Sequence, residues 1–513
     1  MLAVVAALLL SSAPIVSPAH SGPAPEAHQY RIGIQQQKRA VATLTTHVVA
    51  RTGKPVENTG HAINIRTGDG DFLSFDGDTA KTQLEPGTYD VSVLSVTTAA
   101  DGATEIAAVT NRQVEVTAGG GETTVDARPA RPVTAKVDRP GATVVDSSVT
   151  VAGIAADQGL VNTYFTGAKG RVFAVPNKPV PDRKQVFVYR PTLGGPGLRY
   201  HLVHVSESLP DAPVYYTPDR KLARFDTTYY AQGLAVKGTE GNNGQPAAVP
   251  GLSFFRFVDL DFPSARTEYY TADPSVTWLN FRALGGESAY TRTPFTPGRS
   301  RSTWFRPPVG VAWGSITRSG DQLNVNVQPF APSDGKRYPN AFGAGDPGKT
   351  VLFKDGKEIG AAETVGTADL TLPQGPGTYT LRTSGTREVD YSNLNTTVVA
   401  EWTFTDVPKA LISLGVNGLS RLGQVRTGSN HELTLAADPQ AGTTVTPAGV
   451  PSLEVSYDDG KSWRRVSVGW GAQRGNAWLV EPDAKGFVSL RVSANFTDGS
   501  KFTETLIHAY ELI

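Results

Sequence analysis

Four stretches of this chain carry residue types and spacings that could do chemistry. TGDGDFLSFDGD gathers Asp69, Asp71, Asp76 and Asp78, and hard oxygen ligands at close spacing can hold calcium. The spacing is not that of an EF-hand loop, and acidic hairpin tips are ordinarily just solvated; calcium is the one cofactor the residues raise. RYHLVHV places His201 and His204 three apart. On a strand they point to opposite faces, which is wrong for joint metal ligation, so each reads as a structural histidine. Three adjacent tyrosine pairs, Tyr215-Tyr216, Tyr229-Tyr230 and Tyr269-Tyr270, stand with Trp278, Trp304 and Trp313. Neighbours on a strand face opposite ways, so one tyrosine of each pair leaves the first core, either beneath a second layer or into solvent. Exposed, Tyr269, Tyr270 and Trp278 would stack on sugar rings or peptide segments; buried, they would fill a two-sided core. Near the C-terminus SYDDGKSW spaces Ser456, Asp458, Gly460 and Trp463 as a tight hairpin.

Other catalytic signatures are missing from the sequence. Neither His-Glu-x-x-His nor the nucleophile elbow Gly-x-Ser-x-Gly occurs. GAGDPG, residues 343–348, is rich in glycine but lacks a following Lys-Ser/Thr and a helix for a phosphate to cap, and reads as a loop.

The elements that must position these groups are strands. DQLNVNVQPF, ATLTTHVVA and GFVSLRVSANF alternate apolar and polar residues, as half-buried antiparallel strands do. Asp-Gly turns recur at FKDGKEIG, YDDGKSW and FTDGSKF between such runs and are strong hairpin signals. Long apolar patterns at helical spacing are absent beyond the N-terminus. The fold class read from this is all-β, a tandem array of antiparallel β-sandwiches of immunoglobulin-like type.

Composition bounds the partners. With 48 basic and 48 acidic residues the formal charge is zero, and no Lys/Arg stripe offers a footprint for phosphate backbones or anionic lipid, so nucleic acid is not an expected partner. Cysteine is absent, which removes disulfides, thiolate metal sites and cysteine nucleophiles together. The apolar run Leu2 to Leu10, with small residues around Ser17 and Ala19, predicts a signal peptide over residues 1–21 and a secreted protein with no membrane span. No Lys or Arg precedes that run, which leaves an upstream start open.

Composition shifts divide the mature chain into residues 29–137, 138–315 (aromatic-rich), 316–406 and 407–513, with VDARPARPVTAKVDRPG as an exposed, proline-stiffened connector. Each unit carries its own expected aromatic plugs: Tyr89 and Phe72, Trp278 and Trp304, Tyr379 and Trp402, Trp463 and Trp478.

ITRSGDQLNVNVQPF, TVLFKDGKEIG and EWTF, followed by LEVSYDDGKSWRRV and GFVSLRVSANFTDGSKFTETLIHAYEL, resemble the non-catalytic C-terminal region of large secreted bacterial subtilisin-like serine peptidases. TEYYTADPSVTW, FTPGRSRSTW and ETTVDARPA are similar to the same region and to the join before it. The first unit, with TGKPVENTGHAINIRT and LEPGTYDVSV, resembles the prealbumin-like sandwich of a carboxypeptidase regulatory-like domain. A subtilisin-like enzyme displays its aspartate, histidine and serine in Asp-Thr-Gly, His-Gly-Thr and Gly-Thr-Ser-Met-Ala contexts. None occurs here, and the only methionine is Met1. The resemblance thus implies the part of such an enzyme that does no chemistry. SYDDGKSW is similar to the Asp box of sialidases and related propellers, where it recurs blade by blade and closes a turn; one full copy without a repeat does not make a propeller. It reads instead as a hairpin whose Trp463 plugs a sandwich core.

Two functions follow as expectations. One is a secreted, non-enzymatic array of β-sandwiches that binds a cell-wall polymer, an extracellular protein or a peptidase. The other is the accessory half of a subtilisin-like peptidase whose catalytic domain is absent from this chain.

Overall fold

A computed structural model describes residues 26–33, 41–53, 57–180, 183–254, 256–333, 347–373 and 375–513. The expected signal peptide lies outside these, as does the GAGDPG loop up to residue 346. Among the described residues the one helical element is the short 3-10 turn Asp219–Lys221, and everything else that is regular is strand, so the protein is all-β. No helix among them is long and apolar enough to cross a membrane.

Residues 26–304 form four stacked sheets. The outermost is four-stranded, ordered Phe75–Asp76, Thr79–Leu84, Ala42–Val49, Gly121–Asp126. Ala42, Leu44 and Val48 alternate on its inner face and meet Tyr89, Val91 and Val93 of the next, seven-stranded sheet. In Gly87–Thr98 successive residues leave by opposite faces, and the even positions Leu94 and Val96 pack onto a third, nine-stranded sheet through Val149, Val151, Tyr164 and Phe187. That third sheet is likewise covered twice. Val186, Val188 and Tyr270 on its far side meet Val276 and Trp278 of a fourth sheet, ordered Phe257–Phe262, Val236–Pro246, Val276–Leu284, Glu287–Pro294. Covered on both faces, Gln158–Thr166 and Lys184–Gly195 are buried almost throughout and carry polar residues such as Asn162 and Arg190 inside.

This stacking revises the junction expected at residue 137. VDARPARPVTAKVDRPG is not a free connector: Arg131–Val137 is a strand of the seven-stranded sheet, antiparallel to Arg171–Ala174 and parallel to Val214–Thr217. Proline is tolerated there because Pro132 faces outward at one margin of the ladder. The first strand, Glu26–Ile32, also departs from the expected division. It pairs with Gln158–Thr166 at the edge of the nine-stranded sheet, from Glu26↔Phe165 to Ile32↔Gly159.

Residues 309–512 make a second body around one core. Its central nine-stranded sheet includes Gly348–Lys354, Tyr379–Thr386, Thr397–Phe404, Lys501–Leu512, Gly486–Asn495 and Ser452–Ser456 in that spatial order. A three-stranded sheet with Val309–Ser319 covers one half, and a four-stranded sheet with Ala410–Val416 and Asn430–Pro439 covers the other. The junctions expected at 315 and 406 therefore do not hold. Residue 315 falls inside the strand Val309–Ser319. Across 406, Thr397–Phe404 pairs with Lys501–Leu512, joining the two units in one ladder.

The aromatic plugs divide by strand parity. Tyr89, Trp278, Trp304, Tyr379 and Trp402 are buried. Phe72 and Trp463 are only half-buried, and Trp478 is 62% exposed, because Ala477 and Leu479 take the inward positions of its strand. In SYDDGKSW, Ser456 Oγ donates to Asp458 Oδ1 (2.7 Å), Ser462 N donates to the same oxygen (2.9 Å), and Trp463 Nε1 donates to Gly460 O (2.9 Å). Asp459 and Gly460 occupy the left-handed region at φ 59° and 83°, the conformation an Asp-Gly turn supplies. Trp463 lies not in the core but under the guanidinium of Arg491, 4.0 Å from the ring centroid.

Candidate functional site

The third and fourth sheets of the first body enclose the side chains with most chemical potential. Alternation sends Arg266, Glu268 and Tyr270 inward from one sheet and Glu240, Asn242, Trp278 and Arg282 inward from the other. Glu268 Oε1 accepts from Arg266 (2.7 Å), from Tyr229 Oη (2.8 Å) and from Arg282 (3.4 Å), and Thr227 donates to Oε2 (2.7 Å). Arg266 also pairs with Glu240. Burial works against both carboxylates, but the two guanidinium groups overcome it and hold them ionised, well below the usual range. Two anions and two cations pair into a structural network in which Arg282 Nε alone finds no acceptor among the described residues.

At one end of this network the sheets part around a cavity of about 220 Å³, whose lining includes Asp146, Arg190, Arg199, His201, Glu240 and Trp278. Arg190 follows Val186 and Val188 on the same buried face. Its Nε donates to Ser148 Oγ (2.9 Å) and Nη1 to Asn243 Oδ1, while Nη2 is buried with no acceptor. The residue is 8% exposed. Burial lowers its pKa to about 10, so it remains a cation. Asp146 sits just beyond a register shift between Val144 and Asp146 that turns it toward the cavity. Burial raises its pKa to about 6, against the Thr192 hydroxyl and Arg256, which favour the carboxylate. His201 is buried against Tyr270, ring centroids 4.8 Å apart; burial lowers its pKa to about 4, and its Nε2 has no hydrogen-bond partner.

The residues singled out from sequence are distributed differently from the expectation. Tyr269, Tyr270 and Trp278 are 3%, 2% and 2% exposed, so none is an open stacking platform. Tyr270 and Trp278 pack together at 5.0 Å on the cavity side, whereas Tyr269 leaves by the other face and stacks on Tyr200 at 4.5 Å. The second layer, not solvent, receives each partner of this pair. Trp278 still contributes to the cavity wall. The four aspartates are split between two hairpins: Asp71 pairs with Arg31, Asp78 accepts from Thr79 Oγ1 (3.0 Å), Asp69 precedes the strand Gly70–Leu73 of the seven-stranded sheet, and Asp76 ends the strand Phe75–Asp76 of the outermost one. Among the described residues no group of three or more His, Cys, Asp or Glu could hold a metal ion, so the calcium expectation finds no ligand cage there. His201 and His204 do part to opposite faces, His204 stacking on Tyr215 at 4.4 Å.

A wider groove of about 960 Å³ opens in the second body, lined by Val311, Ser413, Thr434, Trp470, Arg474 and Glu504 among others. Its buried acid, Glu504, already accepts from Val311 N (2.5 Å). The smaller cavity is the stronger site because a buried cation there keeps a donor without an acceptor.

No family model matches this chain, and no curated protein matches it. Among solved structures it is similar to a mutant Salmonella alpha-2-macroglobulin at 8% identity and TM-score 0.18, over 95% of this chain and 40% of that one. It is likewise similar to Escherichia coli alpha-2-macroglobulin activated by porcine elastase, at 8% identity and TM-score 0.13, over 95% and 53%. The chain thus spans about half or less of those chains, and superpositions this loose assign it no activity.

Proposed function

We propose that this chain is a secreted, non-catalytic β-sandwich protein that binds a cell-wall polymer or an extracellular protein, and that the cavity around Arg190 is its ligand pocket. One observation carries the reading: a buried guanidinium with an unmet donor faces a cavity at the junction of two sheets, the kind of concave place with few convergent polar groups where ligands bind. The apolar N-terminal run supports an extracellular setting. The resemblance of the second, third and fourth expected units to peptidase accessory regions supports a second reading, an accessory half serving a catalytic domain carried elsewhere.

Purified residues 26–513 should co-sediment with isolated bacterial cell wall, and Arg199→Glu at the pocket rim should abolish this without changing the melting temperature. Equal sedimentation of both proteins, or none of either, would remove the pocket from the proposal. Hydrolysis of casein or a chromogenic peptide that a serine-directed reagent stops would end the non-catalytic reading.

A further inference from the structure

We propose that the pocket takes a carboxylate-bearing sugar, a single hexuronic acid unit of an acidic polysaccharide, with Arg190 as the partner of its carboxylate. This deepens the pocket reading above and rests on it.

The first argument is charge. Among the described residues no carboxylate ion-pairs with Arg190; its two formed hydrogen bonds go to a hydroxyl and an amide oxygen. Asp146 acts on Arg190 through space but makes no hydrogen bond to it, and an incoming carboxylate would meet the free Nη2 in a charge-assisted hydrogen bond. Arg199 and Arg256 add two further cations to the same lining.

Size and polarity narrow the ligand. At about 220 Å³ the cavity is smaller than drug-sized sites of roughly 300–1,000 Å³, so it has room for one ring and not for a folded peptide. Phe165 and Trp278 supply apolar wall, while Asp146, Ser148 and Asp259 supply hydroxyl partners. A ligand with one carboxylate, several hydroxyls and an apolar ring face matches that lining.

The pH dependence follows from the groups that face the cavity from each strand: Asp146, Arg190, Arg199 with His201, Glu240, Asp259 with Arg256, and Tyr30 near Arg190. Asp146 changes charge near neutrality, whereas His201 stays neutral and Glu240 ionised. An ionised Asp146 repels the ligand's carboxylate and shares Arg190's field. Binding should therefore tighten as pH falls from about 7.5 to about 5.

The experiment is calorimetric titration of residues 26–513 with glucuronate, galacturonate, glucose, inorganic phosphate and glycine. A uronate should bind one to one, at least about tenfold tighter than glucose, and more tightly at the lower pH. Arg190→Met should lose at least about tenfold of that affinity while melting no lower than the parent, since it removes an unpaired buried charge. If Arg190→Met does not fold, Arg199→Gln at the rim should weaken uronate and leave glucose unchanged. Equal affinity for glucose and uronates would overturn the carboxylate. Phosphate or glycine binding as tightly as a uronate would overturn the sugar. If no uronate or uronate oligomer binds while cell wall still co-sediments through the pocket, this inference fails and the broader function stands; if both are lost, both fail.

Discussion

Glu504 shows how one buried acid can shape the stability of a whole body. KFTETL alternates so that Phe502, Glu504 and Leu506 all face inward, which makes the misplaced charge legible in the sequence once the strand is recognised. Burial raises its pKa to about 8, against the single hydrogen bond from Val311 N. The native state then keeps a proton that the unfolded chain sheds above its ordinary 4.5. Stability contributed by Glu504 is thus present at low pH and lost as pH rises from about 4.5 to about 8, at roughly 1.4 kcal/mol per unit. Glu504→Gln should melt higher than the parent near pH 8 and lose part of the parent's slope above about pH 5; identical slopes would show that the acid is not held protonated. His61 and His201, lowered by burial to about 3 and about 4, act in the opposite sense below 6.5, where the unfolded chain takes protons that they refuse. Arg190 was equally open to reading, since KQVFVYR puts it in phase with Val186 and Val188. What the sequence withheld was the fourth sheet on that face, and with it the cavity.

At the scale of elements, turns and strands were legible and their partners were not. Asp355-Gly356 and Asp459-Gly460 both adopt the left-handed pair that their types favour, because a hairpin is a local decision. Strand parity is local too, yet a core has two sides, and the sequence does not say which side Trp463 or Trp478 will join. The consequence for the SYDDGKSW hairpin is measurable. Trp463, half-buried beneath Arg491, should cost roughly 1–2 kcal/mol when changed to alanine. Trp402, 1% exposed and packed on Trp313 and Phe502, should cost roughly 3–5 kcal/mol. Denaturant titration of the two variants should rank them in that order, and a reversed order would put Trp463 back in the core.

For the molecule as a whole, composition marked places where texture changes, but sheets pair across those places. A fragment of residues 309–513 should fold with a β-rich circular dichroism spectrum, whereas 316–406 and 407–513 made separately should not, because each would expose half of one core and an open strand edge at the Thr397–Phe404 and Lys501–Leu512 ladder. Cooperative unfolding of either half alone would restore the division at 406. The placement of Glu26–Ile32 bears on the order in which the chain is made. Of the described strands this one leaves the ribosome earliest, yet its ladder partner ends at residue 166. The outermost sheet and four strands of its cover, Glu57–Asn64, Gly70–Leu73, Gly87–Thr98 and Thr104–Val116, lie within residues 42–126 and can pair while that strand still waits. Any product stopped before residue 158 would leave that strand, and the Leu94 and Val96 face of the covering sheet, without their partners. Full-length synthesis is then what hides the edge, and incomplete chains are the species most prone to cling to one another.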